Sequence, residues 1–321
     1  MAGFRDPRKR GVRSMRGKLS FRFRAIRLSV ALLVPALGLS IYFLAIRPSQ
    51  LRWGATAEEA ARAMPGDDLI AHPSFLATRA ITIRGRPEDI WPWLVQMGYG
   101  RAGFYGYDLI ENPGGGRGIR SANAILPELQ HPKPGDVLPL SVAAHLVFSA
   151  VEPNQYLLWR SEADPADGVF TWALYPLDRR HTRLVSRIRL RYHWQDRRLL
   201  LDLFTEFCDH VAVPAILRGI RARVEGTALQ PLSVEAVAIA VWLLALAEIA
   251  AALVCLFRWS EWGRAFLLAL AAMTTLLFAL YAHQPIWIGA VIVLAVGSEL
   301  LWMEKQRSRR TAVSCAAAKQ R

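Results

Sequence analysis

The fifteen residues GYGRAGFYGYDLIEN, at 98–112, gather side chains that could do chemistry. Phe104, Tyr105 and Tyr107 supply aromatic rings, and Asp108, Glu111 and Asn112 supply polar ends. Together these could rim a pocket and orient the polar end of a ligand. Gly98, Gly100, Gly103 and Gly106 let the backbone turn tightly enough to converge them. Acid–base catalysis would require Asp108 or Glu111 to carry a perturbed pKa, which spacing does not establish. The plain alternative is that the rings cap the open end of a sheet while the acids cap turns. The sequence leaves both readings open.

Other chemistries find less support. Histidines 72, 131, 145, 181, 193 and 210 form no H-x-x-x-H, and no C-x-x-C occurs, so no metal is expected, and no cofactor either. His145, at the start of a strand, is a candidate to reach a cavity or to serve as a hydrogen-bonded structural residue. There is no G-x-S-x-G elbow, and Cys208 has no recognisable partner. The stretch NPGGGRG at 112–118 lacks the G-K-[ST] ending of a phosphate loop and reads as a surface turn or a lid. Trp91, Trp93, Trp159 and Trp172 read as core. Trp159 and Trp172 lie on strands whose inner face would also line any cavity.

The elements that position these residues belong to a chain with a membrane part. Of 321 residues, the runs 28–46, 233–257, 265–282 and 285–303 are almost free of charge. Each is near the roughly 20 residues that a helix needs to cross a bilayer core. The net charge of +14 suggests nucleic acid until its distribution is read: eighteen of the forty Lys and Arg fall in 1–27, 258–264 and 304–321. The central segment 47–232 is only +2, so nucleic acid is not an expected partner. Positive flanks stay cytoplasmic. This predicts a multi-pass protein of the cytoplasmic membrane with a basic leader (1–27) and a basic tail (304–321) inside and 47–232 on the non-cytoplasmic side. The first run has a long charged leader and no A-x-A site soon after it, so it reads as an uncleaved anchor. Glu248, inside a span, is either a proton or ligand pathway group or a neutral acid hydrogen-bonded between helices.

Within 47–232, ATAEEAARAM reads as a short helix, TRAITIR as a strand with Ile81 and Ile83 on one face, and PEDIWPWLVQM as a helix opened by Pro87. SANAILPEL reads as another short helix. DVLPLS, AHLVFSAVE, QYLLWRSE, GVFTWALYPL and TRLVSRIRLRYHW then read as consecutive antiparallel strands. In the last, Leu184, Ile188, Leu190 and Tyr192 alternate with Arg183, Arg187, Arg189 and Arg191, which predicts a buried face and a solvated arginine face. From about 195 to 226 the pattern is helical, with Leu199, Leu203, Phe207 and Val211 as the predicted core stripe and Pro214 as a predicted kink. A curved antiparallel sheet around one long helix is the simplest packing.

This order, with ATRAITIRGRPEDIWPWLVQMGYGRAGFYGYDLIEN at 77–112, resembles the SRPBCC superfamily, which includes START lipid-transfer domains, polyketide cyclases and birch-pollen-allergen-like proteins. Pro87, Glu88, Asp89, Ile90 and Trp91 match its P-E-x-V-W opening of a helix. The likeness covers about residues 52–226, to the helix ending ILRGIRARVE. More narrowly, the chain is similar to an uncharacterised membrane-anchored bacterial branch with the same G-R-x-G-F-Y-x-Y-D-x-x-E-N loop. The resemblance implies an α+β helix-grip fold with a deep, largely apolar cavity, and it implies no particular reaction. Three functions follow as expectations. The first is binding or transfer of a hydrophobic or lipid-like small molecule at the membrane. The second is a cyclase or dehydratase using Asp108, Glu111 or His145. The third is a ligand-free structural or regulatory module. Protein partners are not legible.

Overall fold

The computed structural model describes residues 25–113, 118–163, 167–194, 198–258, 262–281 and 286–319. The basic leader up to residue 24 and the centre of NPGGGRG lie outside the described residues. The chain divides after Ala45 and after Ala236 into two compact units.

The first apolar helix, α1 (Ala25–Gln50), passes through a π-helical turn at Tyr42–Ile46 and delivers Arg47 and Gln50 to the middle unit. There α2 (Ala57–Ala61) is closed at its start by a capping box. The Glu59 N–H donates to Thr56 Oγ1 (3.2 Å), and the Thr56 N–H donates to the Glu59 carboxylate (2.8 Å). Strand β1 (Phe75–Arg84) leads to α3 (Pro87–Val95), with Pro87 in the first turn and the Arg86 N–H bonded to Asp89. A single turn, α4 (Asp108–Glu111), ends the glycine-rich loop. The helix predicted in SANAILPEL is only a 3-10 turn at Pro127–Leu129. Pro127 holds Leu126 in extended backbone, which stops a helix from running through it.

Five more strands follow: β2 (Val137–Pro139), β3 (His145–Glu152), β4 (Tyr156–Arg160), β5 (Gly168–Pro176) and β6 (His181–Leu190). They form one antiparallel sheet in the order β1-β6-β5-β4-β3-β2. A register shift between Phe148 and Ala150 marks a bulge that bends β3. Helix α5 (Leu199–Glu225) closes the inner face and runs unbroken through the buried Pro214, ending at a left-handed Gly226. The core between them holds Ile81, Ile83, Phe148, Leu157, Trp159, Trp172 and Leu184 from the sheet, with Val213, Ile216, Leu217 and Ile220 from α5. This is an α+β helix-grip architecture.

Two further expectations fail. The stripe Leu199, Leu203, Phe207 and Val211 does not face the core. Only Val211 is buried, and the inward positions of that half of α5 carry Glu206, Asp209 and His210 instead. The cause is Arg79, on the inner face of β1 and 1% exposed. It contacts Asp209 at 2.6 Å, His210 Nδ1 at 2.7 Å and the Gln50 carbonyl at 2.8 Å. The second failure is the solvated arginine face. Arg187 is 3% exposed, because segment 54–72 lies over the outer face of the sheet. Arg183 pairs with Glu59 (2.7 Å), Arg187 and Arg189 both pair with Asp67 (2.7 and 2.9 Å), and the guanidiniums collect the carbonyls of Glu59, Ala60, Arg62 and Ile70.

The remaining helices are α6 (Leu232–Arg258), α7 (Trp262–Tyr281) and α8 (Ile286–Lys319). With α1 they are four helices long and apolar enough to cross a membrane. Small buried residues, Ala265, Ala269 and Ala272, line α7. Glu299 pairs with Arg264. Glu248 is 8% exposed and packs its carboxyl against Gly297, with one oxygen buried and unpartnered.

Arg187 is the keystone of the outer layer, so Arg187→Ala removes one of the two arginines that hold Asp67 and strands the carbonyls of Glu59, Ala60 and Arg62. We expect a loss of about 3–5 kcal/mol, the range for breaking a buried ion pair. Thermal unfolding of the detergent-solubilised chain measures it, and limited proteolysis should cut first within 54–72.

Candidate functional site

The glycine-rich loop is pinned before it reaches any ligand. Gly98 and Gly103 exchange backbone hydrogen bonds (3.1 and 3.0 Å), folding the loop back on itself. Tyr105 follows in the left-handed region, at φ 69°, a costly conformation for a non-glycine residue. Its ring is 4% exposed and meets Trp93 edge-on at 5.9 Å. Its hydroxyl donates to the Trp93 carbonyl (3.1 Å) and accepts from Gln96 Nε2 (3.0 Å). Gln96, fully buried at the end of α3, also accepts from the Leu126 N–H (2.9 Å) and so ties the loop to the following segment. Burial pushes the Tyr105 phenol well above its ordinary range.

A second set of bonds fixes the turn after Tyr105. Ser121 Oγ accepts from the Tyr105 N–H (3.0 Å) and donates to Asp108 Oδ1 (2.5 Å), which also accepts from Asn112 Nδ2 (3.1 Å). Glu111 turns back beneath Gly106, whose N–H donates to it at 3.1 Å, and its other oxygen is buried with no hydrogen-bond partner among the described residues. Burial, with Asp108 and Glu235 nearby, pushes the Glu111 carboxyl up to about 7, against the pull of the Gly106 and Tyr107 N–H groups.

Against this loop packs the second half of α5. At Gly219 a Cβ would collide with the Tyr105 carbonyl, so the helix passes closer than any side chain would allow. Arg223 lies over the Tyr105 ring at 4.4 Å and donates to the Ala122 and Gly219 carbonyls (2.9 and 3.1 Å). Between loop and helix lies a cleft of about 270 Å³ lined by Tyr105, Tyr107, Asp108, Arg120, Ser121, Arg218, Arg221 and Arg223, with Glu235 from the first turn of α6. Four arginines face two carboxylates, so the cleft favours an anionic group. Burial lowers the Arg218 and Arg223 pKa values, and Glu235 accepts from the Leu109 N–H at 3.2 Å.

The residues singled out by sequence therefore separate. Tyr105, Tyr107 and Asp108 line the cleft. Phe104, Glu111 and Asn112 do not: Phe104 is core, and the other two brace the loop. Trp159 and Trp172 lie on the inner face of the sheet, each 2% exposed, with ring centroids 5.7 Å apart. His145 stands apart. Its side chain is 47% exposed at the start of β3 and bonds Glu162 at 3.0 Å, so it does not reach the interior. The cleft is also more polar than the largely apolar cavity expected from the resemblance. Arg120, Arg218, Arg221 and Glu235 were missed, because only the fold brings α5, the loop and the start of α6 together. Among the described residues, no group of three His, Cys, Asp or Glu could hold a metal ion.

No protein-family profile matches the chain, and no curated protein matches it. Solved structures do. A protein from Mesorhizobium loti is similar at 20% identity over 48% of this chain and 100% of its own, with a TM-score of 0.29. A conserved protein of unknown function from Enterococcus faecalis is 12% identical over 51% of this chain and 84% of its own, with a TM-score of 0.30. A polyketide-cyc-like protein from Corynebacterium glutamicum is 13% identical over 47% and 83%, with a TM-score of 0.24.

Glu111 makes stability depend on pH. An ordinary glutamate ionises near 4.5, so the folded chain keeps a proton that the unfolded chain has lost between about 4.5 and about 7. Stability falls as pH rises through that window and levels off above it, by at most about 3 kcal/mol. Glu111→Gln should melt with the parent near the lower end and above it at about pH 8, by thermal unfolding. A difference constant across the range would mean that Glu111 does not titrate there.

Proposed function

We propose that the helix-grip unit binds an amphipathic small molecule at the membrane, with the molecule's acidic head held in the arginine-lined cleft. The cleft carries the reading: Arg120, Arg218 and Arg221 converge on a space of about 270 Å³, large enough for a head group and too small for a whole lipid. Its floor includes Glu235, in the first turn of an apolar helix of spanning length, so a bound molecule can leave its tail near the bilayer. Tethering raises the effective concentration of a poorly soluble ligand without any further contact. The distribution of Lys and Arg supports placing the unit on the non-cytoplasmic side.

One feature favours a second reading, an enzyme of cyclase or dehydratase type. Asp108 lies in the cleft, with Glu111 behind it at a pKa of about 7. Asp108 would then act on the bound molecule from the wall of the cleft.

Mass spectrometry of small molecules extracted from the detergent-purified chain tests both readings. Binding predicts an acidic amphiphile that falls about tenfold in Arg120→Glu/Arg221→Glu, since a charge-assisted contact contributes about 1.5–3 kcal/mol. Retention of neutral material only, or no change in that variant, would overturn it. Under binding alone, Asp108→Asn retains the same compound. Under catalysis it accumulates an unconverted precursor.

A further inference from the structure

The first half of α5 is inside out. Leu200, Leu201, Leu203, Phe204 and Phe207 are 77, 57, 44, 59 and 38% exposed, and Trp194, just before the helix, is 65% exposed. At about 100° per residue, positions 200, 203, 204 and 207 share one stripe roughly 100° wide. The polar residues face the other way, into the protein. Glu206 is 4% exposed and bonds Arg47 (2.6 Å) and the Tyr192 hydroxyl. Asp209 is 6% exposed against Arg79, and Asp202 accepts from the His193 N–H (2.7 Å). Water would favour the opposite arrangement, and a contiguous apolar surface of this kind marks a contact with something that is not water.

The chain's connections say what that is. Arg47 is the first charged residue after the apolar run of α1, the point at which the chain leaves the hydrocarbon. It is bonded to Glu206, in the middle of the exposed stripe's own helix segment. Leu200 to Phe207 covers eight residues, about 10 Å of helix. Six residues separate the far end of α5, at Glu225, from Leu232, where α6, the next helix of spanning length, begins. Both ends of α5 are thus tied to helices long and apolar enough to cross a membrane.

We infer that the Leu200–Phe207 face of α5, with Trp194, is a lipid-contacting surface lying in the interface of the bilayer. Its apolar side chains enter the acyl boundary, while Glu206 stays paired with Arg47 and Asp209 with Arg79 inside the protein. This is the geometry of an interfacial amphipathic helix, with the protein core in the place of water on the polar side. The inference does not depend on what the cleft binds.

Site-directed spin labelling of the full chain, with Cys208, Cys255 and Cys315 replaced by alanine, tests it. Nitroxides are placed by Leu200→Cys and Phe204→Cys, and by Val142→Cys as an exposed loop reference, in nanodiscs of phosphatidylcholine and phosphatidylglycerol. At Leu200 and Phe204, collisions with oxygen should exceed those with a water-soluble nickel chelate by about tenfold relative to Val142, as hydrocarbon excludes charged solutes. Chelate access at Leu200 equal to that of a free nitroxide in buffer would overturn the inference. So would loss of both collision rates together with dipolar broadening between labels, the sign of a second copy on this face. Leu200 is the most exposed of the set, so a label there leaves the fold intact even if one at Phe204 does not.

Discussion

A guanidinium on the inner face of an otherwise apolar strand has to be met by acids and carbonyls, or the strand cannot stay buried. Arg79 stands among Phe75, Ala77, Ile81 and Ile83 on that face of β1. Its partners come from separate parts of the chain: Gln50 at the end of α1, and Asp209 and His210 on α5. Glu206 extends the cluster to Arg47 and Tyr192, and its carboxyl is held down to about 2 by His210, Arg47 and Tyr192 in spite of burial. One buried charge thus fastens the exit of the first apolar helix, an edge strand and the closing helix to one another. It also dictates which face of α5 turns inward.

Helix α5 changes character along its length for that reason. Its first half presents acids to Arg79 and leaves leucines outside. Its second half presents Val213, Ile216, Leu217 and Ile220 to the sheet and places its arginines at the cleft. Gly219 sits at the crossing with the loop, where the Tyr105 carbonyl occupies the space a side chain would need. The same helix therefore carries an apolar outer surface at one end and arginines of the cleft at the other. The separation is about 20 Å, taking 1.5 Å per residue between Phe204 and Arg218.

How much of this is legible in the sequence follows from how local each pattern is. Alternation in β1 and β6 gave the inner face directly, because Ile81, Ile83, Leu184, Ile188 and Leu190 answer only to the pleat. The arginines of β6 alternate just as cleanly, yet they are covered. Their cover is segment 54–72, more than a hundred residues away, and nothing in TRLVSRIRLRYHW records it. The fourfold spacing of Leu199, Leu203, Phe207 and Val211 is real, but apolar periodicity does not say which side is the core when the protein has two apolar surroundings. In the loop, aromatic and acidic residues marked the right region. The division of labour between Tyr105, anchored to Gln96 and Trp93, and Tyr107 at the cleft required the left-handed turn at Tyr105.

The packing inside the grip bears on how any ligand is held. Trp159 and Trp172 stack obliquely at the centre, beside Phe148, and the indole N–H of each is buried with no acceptor among the described residues. Two unsatisfied donors cost about 1–3 kcal/mol each, and a guest or water offering an acceptor would recover that. A wholly apolar guest would recover none of it and would have to displace aromatic rings already in contact. The cleft's arginines and the two unmet donors of the core are separate features, since neither Trp159 nor Trp172 lines the cleft.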